Sequence, residues 1–251
     1  VGHGELPMLK YCLTMDQVLL PGPPGMWPAP LDLTLDLQEV VLIEQVSPEE
    51  GVPILEVASA FRPPVAGQVR HWGVDAFSLA REERYHLHRR IGCVAPGQVL
   101  LSRLTLGENI ALGPCYHEGI TYGAVISLNA GLLEQLGLPP FLDLLPHEVE
   151  EEVYLRALWA RELIKEPEMI LAALDESLEL LTGEGRGMAF LLDYLATPGV
   201  TALLLGQSLQ PLHSLAHRIL RREAGRLVSH PLPGHQGRPL TDFLPLIVVE
   251  K

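Results

Sequence analysis

The chain has 251 residues, with 31 Asp plus Glu against 18 Lys plus Arg, a formal net charge of -13 and 47% hydrophobic residues. A chain of this length buries a core without disulfide or metal support, and its acidic balance argues against nucleic acid or an anionic membrane as a charge-driven partner. Cys12, Cys93 and Cys115 are odd in number and lack metal-ligand spacing, which fits reduced thiols in a cytosolic protein and implies neither a disulfide framework nor a metal site.

Mean hydropathy is high at +0.20, yet no run approaches the ~18 apolar residues that a membrane span needs. Val1–Pro7 has neither the basic nor the apolar region of a signal peptide. Few charges (20%) on an apolar chain point to a face that rests against a partner.

In chain order, Leu9–Leu20 reads as a strand broken by Pro21-Gly22-Pro23-Pro24-Gly25, and Leu31–Leu37 alternates apolar and polar residues as a half-buried strand does. Val40–Ile43 is continuous and apolar, the pattern of a buried strand. Ser47-Pro48-Glu49-Glu50 is a helix start, with Ser at the cap, Pro at the first helical position and Glu three residues after the cap. Pro53 in the second turn predicts a short or distorted helix. A strand at Gln68–Trp72, a charged helix at Leu79–Arg90 and a strand at Cys93–Ala95 follow. Gly113–Gly123 reads as loop, Leu128–Leu136 as a short helix, and His147–Lys165 as the longest helix. Met169–Leu174 and Val200–Leu205 read as strands, Gly187–Leu195 and Leu209–His217 as helices, and Glu223-Ala224-Gly225 as the turn of a hairpin. Strands alternating with helices argue for an α/β layer structure. Phe243–Val249 is either a strand closing onto the core or a partner-binding edge.

Several constellations have plain structural readings. His213 and His217, four apart on the predicted helix, lack an evident third ligand and read as surface histidines. Arg81, Arg84, Arg89 and Arg90 alternate with Glu82 and Glu83, the pattern of a solvated face. Ser102, Ser177 and Ser208 lack the glycines of a nucleophile elbow.

The order of segments resembles an ATP-binding cassette ATPase. The residues that carry the likeness are Phe61–Val69, Arg89-Arg90-Ile91-Gly92, Leu104–Leu112, Leu145-Pro146-His147-Glu148, Ala160-Arg161-Glu162-Leu163 with Glu166-Pro167-Glu168, Leu174-Asp175-Glu176, and the hairpin Arg218–Val228. They are collinear from about residue 9 to 229, and the flavour is that of cassettes from lipid, MCE-type transporters. The resemblance implies an α/β fold of the ABC-type P-loop NTPase kind, with an N-terminal antiparallel β subdomain. Residues 1–230 would form the cassette-like domain, with a helical insertion at about 113–166, and residues 231–251 a Pro/Gly-rich tail.

The chemistry-bearing positions depart from that pattern. A P-loop uses glycines to bring backbone N–H groups around phosphates, a Lys to neutralise them and a Ser/Thr for Mg²⁺. The corresponding run, Glu44-Gln45-Val46-Ser47-Pro48-Glu49-Glu50-Gly51-Val52, has no Lys and carries acids where the lysine belongs. The signature segment falls on Glu150-Glu151-Glu152, the switch histidine on Gln207, the D-loop aspartate near Leu181 or Thr182, the adenine-stacking aromatic near Pro21, and the Q-loop glutamine on Pro96, with Gln98 two residues on. Asp175 and Glu176 alone keep the Walker B character. The expectation is a degenerate, cassette-like cytoplasmic subunit without a nucleotide cofactor. It would be held at the inner face of a membrane by a permease or another cassette subunit, as a homo- or heterodimer. The runner-up is one half of a heterodimeric transporter ATPase, using ATP and Mg²⁺ with a partner. The resemblance places the permease-docking groove along Ala95–Arg103 and Gly113–Ser127, where Leu100, Leu101, Tyr116 and Tyr122 are expected on loops with exposed apolar side chains.

Overall fold

The computed structural model describes residues 11–174 and 186–231. Asp175, Glu176, the D-loop positions and Phe243–Val249 lie outside the described residues.

Two sheets organise the chain. The antiparallel one contains β1 (Tyr11–Leu19), β2 (Leu31–Asp36), β4 (Ala66–His71) and β5 (Val74–Asp75), in the order β2-β1-β4-β5. The core sheet contains β3 (Val40–Glu44), β6 (Ile91–Val94), β7 (Met169–Ala173), β8 (Ala202–Leu205), β9 (Arg218–Glu223) and β10 (Arg226–His230), in the order β10-β9-β3-β8-β7-β6. All its pairs are parallel except the β9–β10 hairpin.

The strand period of two sends alternate residues of β3 to opposite faces. Val41 and Ile43 join a core formed with the antiparallel sheet and α1 (Pro48–Ala58), while Val40 and Leu42 join the core beneath the helices on the other side. Those helices are α3 (Leu106–Glu118), α4 (Tyr122–Leu128), α5 (Ala130–Gln135), α6 (Glu151–Leu163) and α7 (Arg186–Leu195); α2 (Arg81–Arg89) leads into β6. No helix among the described residues is long and apolar enough to cross a membrane.

Helix α1 starts where the sequence predicts, with Ser47 Oγ accepting the Glu50 N–H and the Glu50 carboxylate accepting the Ser47 N–H. Such a cap contributes ~1 kcal/mol. The helix is not short: it runs eleven residues through Pro53, because Pro53, Ile54, Leu55, Val57 and Ala58 are all buried and their packing offsets the hydrogen bond that Pro cannot make.

The expected loop at Gly113–Gly123 is instead the end of α3 and the start of α4. A capping box at Thr105 and Glu108 starts α3, Leu106, Ile110, Ala111 and Pro114 bury its inner face, and Gly119 ends it in the left-handed region at φ 67. Gly113 and Pro114 signal a break that tertiary burial overrides. The long helix also begins later than expected, at Glu151, because Pro146–Glu148 forms a separate 3-10 turn.

Leu209–His217 is no α-helix. Residues Gln210–Leu215 form a 3-10 turn with Pro211 near its start, so His213 and His217 do not stack one turn apart. His217 lies at the surface as expected, with Nδ1 accepting the Val40 N–H at 3.1 Å, whereas His213 is half-buried and its Nε2 meets Glu44.

Candidate functional site in the turn between β3 and α1

The turn leaving β3 is clamped to the end of β8. Gly206 N–H donates to Ile43 O (3.0 Å), Gln45 N–H to Gln207 O (3.3 Å) and Val46 N–H to Gly206 O (3.3 Å). Gln45 takes a left-handed φ of 61 to make the bend. A Cβ on Gly206 would collide with the Leu174 carbonyl oxygen, so only glycine lets β7 and β8 end this close together. Gly206→Val should therefore destabilise the fold by ~2 kcal/mol or more, read from a denaturant midpoint.

Glu44 closes β3 and is only 4% exposed. Its carboxylate accepts the Leu209 N–H (3.1 Å), His213 Nε2 (2.6 Å) and Arg221 Nε (3.1 Å). Burial pushes this carboxyl up, but the hydrogen bonds from His213, Leu209 and Arg221 outweigh it and hold Glu44 below the usual carboxylate range. Arg221 lies beside Glu44 because β9 pairs parallel with β3 in that register.

Six positions on from Glu44, the first turn of α1 carries a second ion pair. Glu50 Oε1 lies 2.8 Å from Arg222 NH1, while its Oε2 accepts the Ser47 N–H at 3.0 Å. Arg222 also donates to Met26 O (2.7 Å), and its guanidinium carbon lies 5.0 Å from the centre of the Trp27 ring. Trp27 Nε1 in turn donates to Glu50 O at 3.0 Å. The positive end of α1 thus faces the protein's own Glu50, Ser47 and an indole ring. Pro48 has no N–H to offer, and Glu49 points to solvent.

The structure brings Glu44, Ser47, Pro48, Glu49, Glu50 and Gly51 together in this turn. The residues that complete the site, Trp27, His213, Arg221 and Arg222, were not singled out for it from sequence. A signal was present in the complementary charge of two acids near β3 and two consecutive arginines in β9. Gln98 turns away, donating through Nε2 to Cys93 O (2.9 Å). At the start of α6, Glu150 and Glu151 are exposed and Glu152 lies 3.6 Å from Arg156.

The expected docking groove needs correction. Leu100 is 5% exposed, belongs to the core, and presents no docking surface. Tyr116 and Tyr122 sit on α3 and α4 rather than on loops. Tyr116 (80%), Leu101 (51%) and Tyr122 (39%) are exposed as expected, and Tyr122 keeps its hydroxyl against Gly107.

No protein-family profile matches the chain. Over 165 residues it is 30% identical to the methionine import ATP-binding protein MetN of Rhizobium johnstonii, covering 65% of this chain and 45% of that protein. Over 177 residues it is 29% identical to MetN 2 of Paraburkholderia xenovorans, covering 70% and 45%. The chain thus spans about half the length of the curated relatives it matches. Among solved structures, the dimeric structure of MJ0796, a bacterial ABC transporter cassette, superposes with a TM-score of 0.75 at 21% identity over 89% of this chain and all of that one.

The chain has the ATP-binding cassette fold.

CbiO1 of Clostridium perfringens, part of the ABC transporter complex cbiONQ, shares that cassette fold with a TM-score of 0.71 at 14% identity, over 89% of each chain. On the cassette fold, the β3–α1 turn stands where the resemblance puts the phosphate loop. The relatives carry methionine-import names, which lend the lipid-type flavour no support.

Proposed function

We propose that this chain is a cassette-like subunit that does not grip MgATP and works by docking to a transporter permease or a second cassette subunit at the cytoplasmic face of a membrane. The observation that carries the reading is the Glu50–Arg222 pair over the capped start of α1. The residues present do not fit MgATP. No lysine stands in the turn, the Ser47 hydroxyl is engaged with the Glu50 N–H, and a triphosphate would meet Glu49 and Glu50. Acids at the start of α6 extend the same repulsion to a nucleotide carried by a facing subunit, which favours docking over a shared catalytic site.

Millimolar ATP with Mg²⁺ should leave the unfolding midpoint unchanged, whereas a site with ~100-fold excess ligand over Kd would add ~3 kcal/mol of stability. A midpoint that rises with nucleotide concentration overturns the reading. Glu50→Lys alone should not create binding either, because Pro48 and Glu49 remain; nucleotide affinity by equilibrium dialysis in that variant would show otherwise.

The docking surface is assigned to Leu101 and Tyr116, with Tyr122 supporting it from the Gly107 side. Leu101→Asp with Tyr116→Asp should abolish co-purification with a co-expressed transporter permease that the unaltered chain retains, while cooperative melting persists. Unchanged co-purification would move the docking surface elsewhere.

A further inference from the structure

The segment from Ala95 to Thr105 joins the core sheet, at the end of β6, to α3. Side chains from elsewhere hold its backbone at successive residues. Arg161 NH1 donates to Val99 O (3.0 Å) and the Tyr154 hydroxyl accepts the Leu100 N–H (2.8 Å), both from α6. Asn109, 1% exposed, accepts the Leu101 N–H through Oδ1 (2.6 Å) and donates through Nδ2 to Leu101 O (3.0 Å) and Leu104 O (3.1 Å).

Glu162 on α6, Lys165 just past its end and Gln98 also grip the edge of β6 that no other described strand pairs with. Glu162 accepts the Cys93 N–H (3.2 Å), Lys165 Nζ donates to Ile91 O (3.1 Å) and to Glu162 (2.5 Å), and Gln98 occupies Cys93 O (2.9 Å). Because β6 is an edge strand among the described residues, these side chains fill positions that a further strand would otherwise take. They surround a cavity of about 160 Å³, below the range of drug-sized ligand sites. The free acceptor there, Gln98 Oε1, faces no protein donor.

We infer that Gln98, Arg161, Glu162 and Lys165, with Tyr154 and Asn109, form a lock that fixes α3 and α6 to the core sheet as one body and presents the 95–105 segment to its partner in a single preset geometry. In the absence of the lock, a surface segment with exposed Val99 (68%) and Leu101 (51%) would sample many conformations. With it, opening requires releasing a charged belt and a series of backbone hydrogen bonds together. Gln98 is a positioning residue, committed to β6 rather than to a nucleotide. The consequence for the partner rests on the docking reading above; the lock itself does not.

Amide hydrogen exchange on the intact chain tests it. The Cys93, Leu100 and Leu101 amides should exchange as slowly as those of β3. Glu162→Gln, which keeps shape but removes the charge held by Lys165, should speed exchange across residues 93–101 by about tenfold or more while β3 and β8 stay protected. Should that variant fail to fold, Gln98→Ala should give the same local acceleration at a smaller amplitude. Fast exchange of these amides in the unaltered chain, or no change in a folded variant, overturns the lock. Repeating the measurement with MgATP separates the two proposals, since new protection confined to residues 44–51 would overturn the reading of a nucleotide-free subunit and leave the lock standing.

Discussion

Glu44→Ala should cost about 3 kcal/mol of stability and lower the unfolding midpoint by roughly 6–12 °C. The carboxylate is 5% exposed and is the common acceptor for His213, Arg221 and the Leu209 N–H. Its removal strands a half-buried imidazole and a buried backbone donor and leaves a cavity beside Ile43. Arg221, at 35% exposed, regains water, which places the cost at the lower end of the range for breaking buried pairs. Glu44→Gln keeps an acceptor and should lose less. The pH dependence has a fixed sign: the folded-state carboxyl lies below its usual range, so its contribution is present above about pH 4.3 and is lost as pH falls through the depressed folded value. A denaturant midpoint within ~0.5 kcal/mol of the parent for Glu44→Ala would mean the network is ornamental rather than structural.

The strands were legible because their signals are local. Leu31–Asp36 alternates as a half-buried strand must, and Val40–Glu44 is uniformly buried in the middle of a parallel sheet. The start of α1 was legible for the same reason, since Ser47, Pro48 and Glu50 carry the whole capping motif. What failed was the weight given to breakers. Pro53 and Pro114 both sit inside helices whose apolar faces are buried, and the packing that overrides them involves residues far away in sequence. Leu209–His217 failed in the opposite sense, because the apolar spacing of a helix also fits a 3-10 turn begun by Pro211.

The candidate site was half legible. Loss of the lysine and gain of acids are visible in the sequence. What answers those acids is not, because Trp27, His213, Arg221 and Arg222 reach the turn through pairings 23 to 177 residues apart. Leu100 was misread for a related reason: its Pro/Gly neighbours suggest an exposed loop, but its backbone is tied to Tyr154 and its side chain lies in the core.

Acidification between pH 6.5 and 4 should remove about 3 kcal/mol of stability through one residue, His71. This imidazole is 2% exposed, with Nε2 2.6 Å from Ala58 O and Nδ1 buried without a partner. Burial is the main cause that lowers its pKa from 6.5 to about 4; the hydrogen bond to Ala58 opposes this, while His88 and Arg90 nearby add to it. The neutral ring that donates from Nε2 fits the site, and the charged ring does not. The unfolded chain therefore binds a proton near pH 6.5 that the folded chain refuses until about pH 4. Stability is whole above pH 6.5 and declines steadily below it. His88, whose pKa burial also lowers, adds to the slope in the same direction. His71→Gln keeps a donor that can reach Ala58 O and cannot titrate in this range. That variant should be less stable at pH 7.5 but show a flatter dependence of unfolding free energy on pH between 4.5 and 6.5, measured by urea denaturation at closely spaced pH values. An equally steep slope in the variant would assign the proton uptake to other groups and remove His71 from the account.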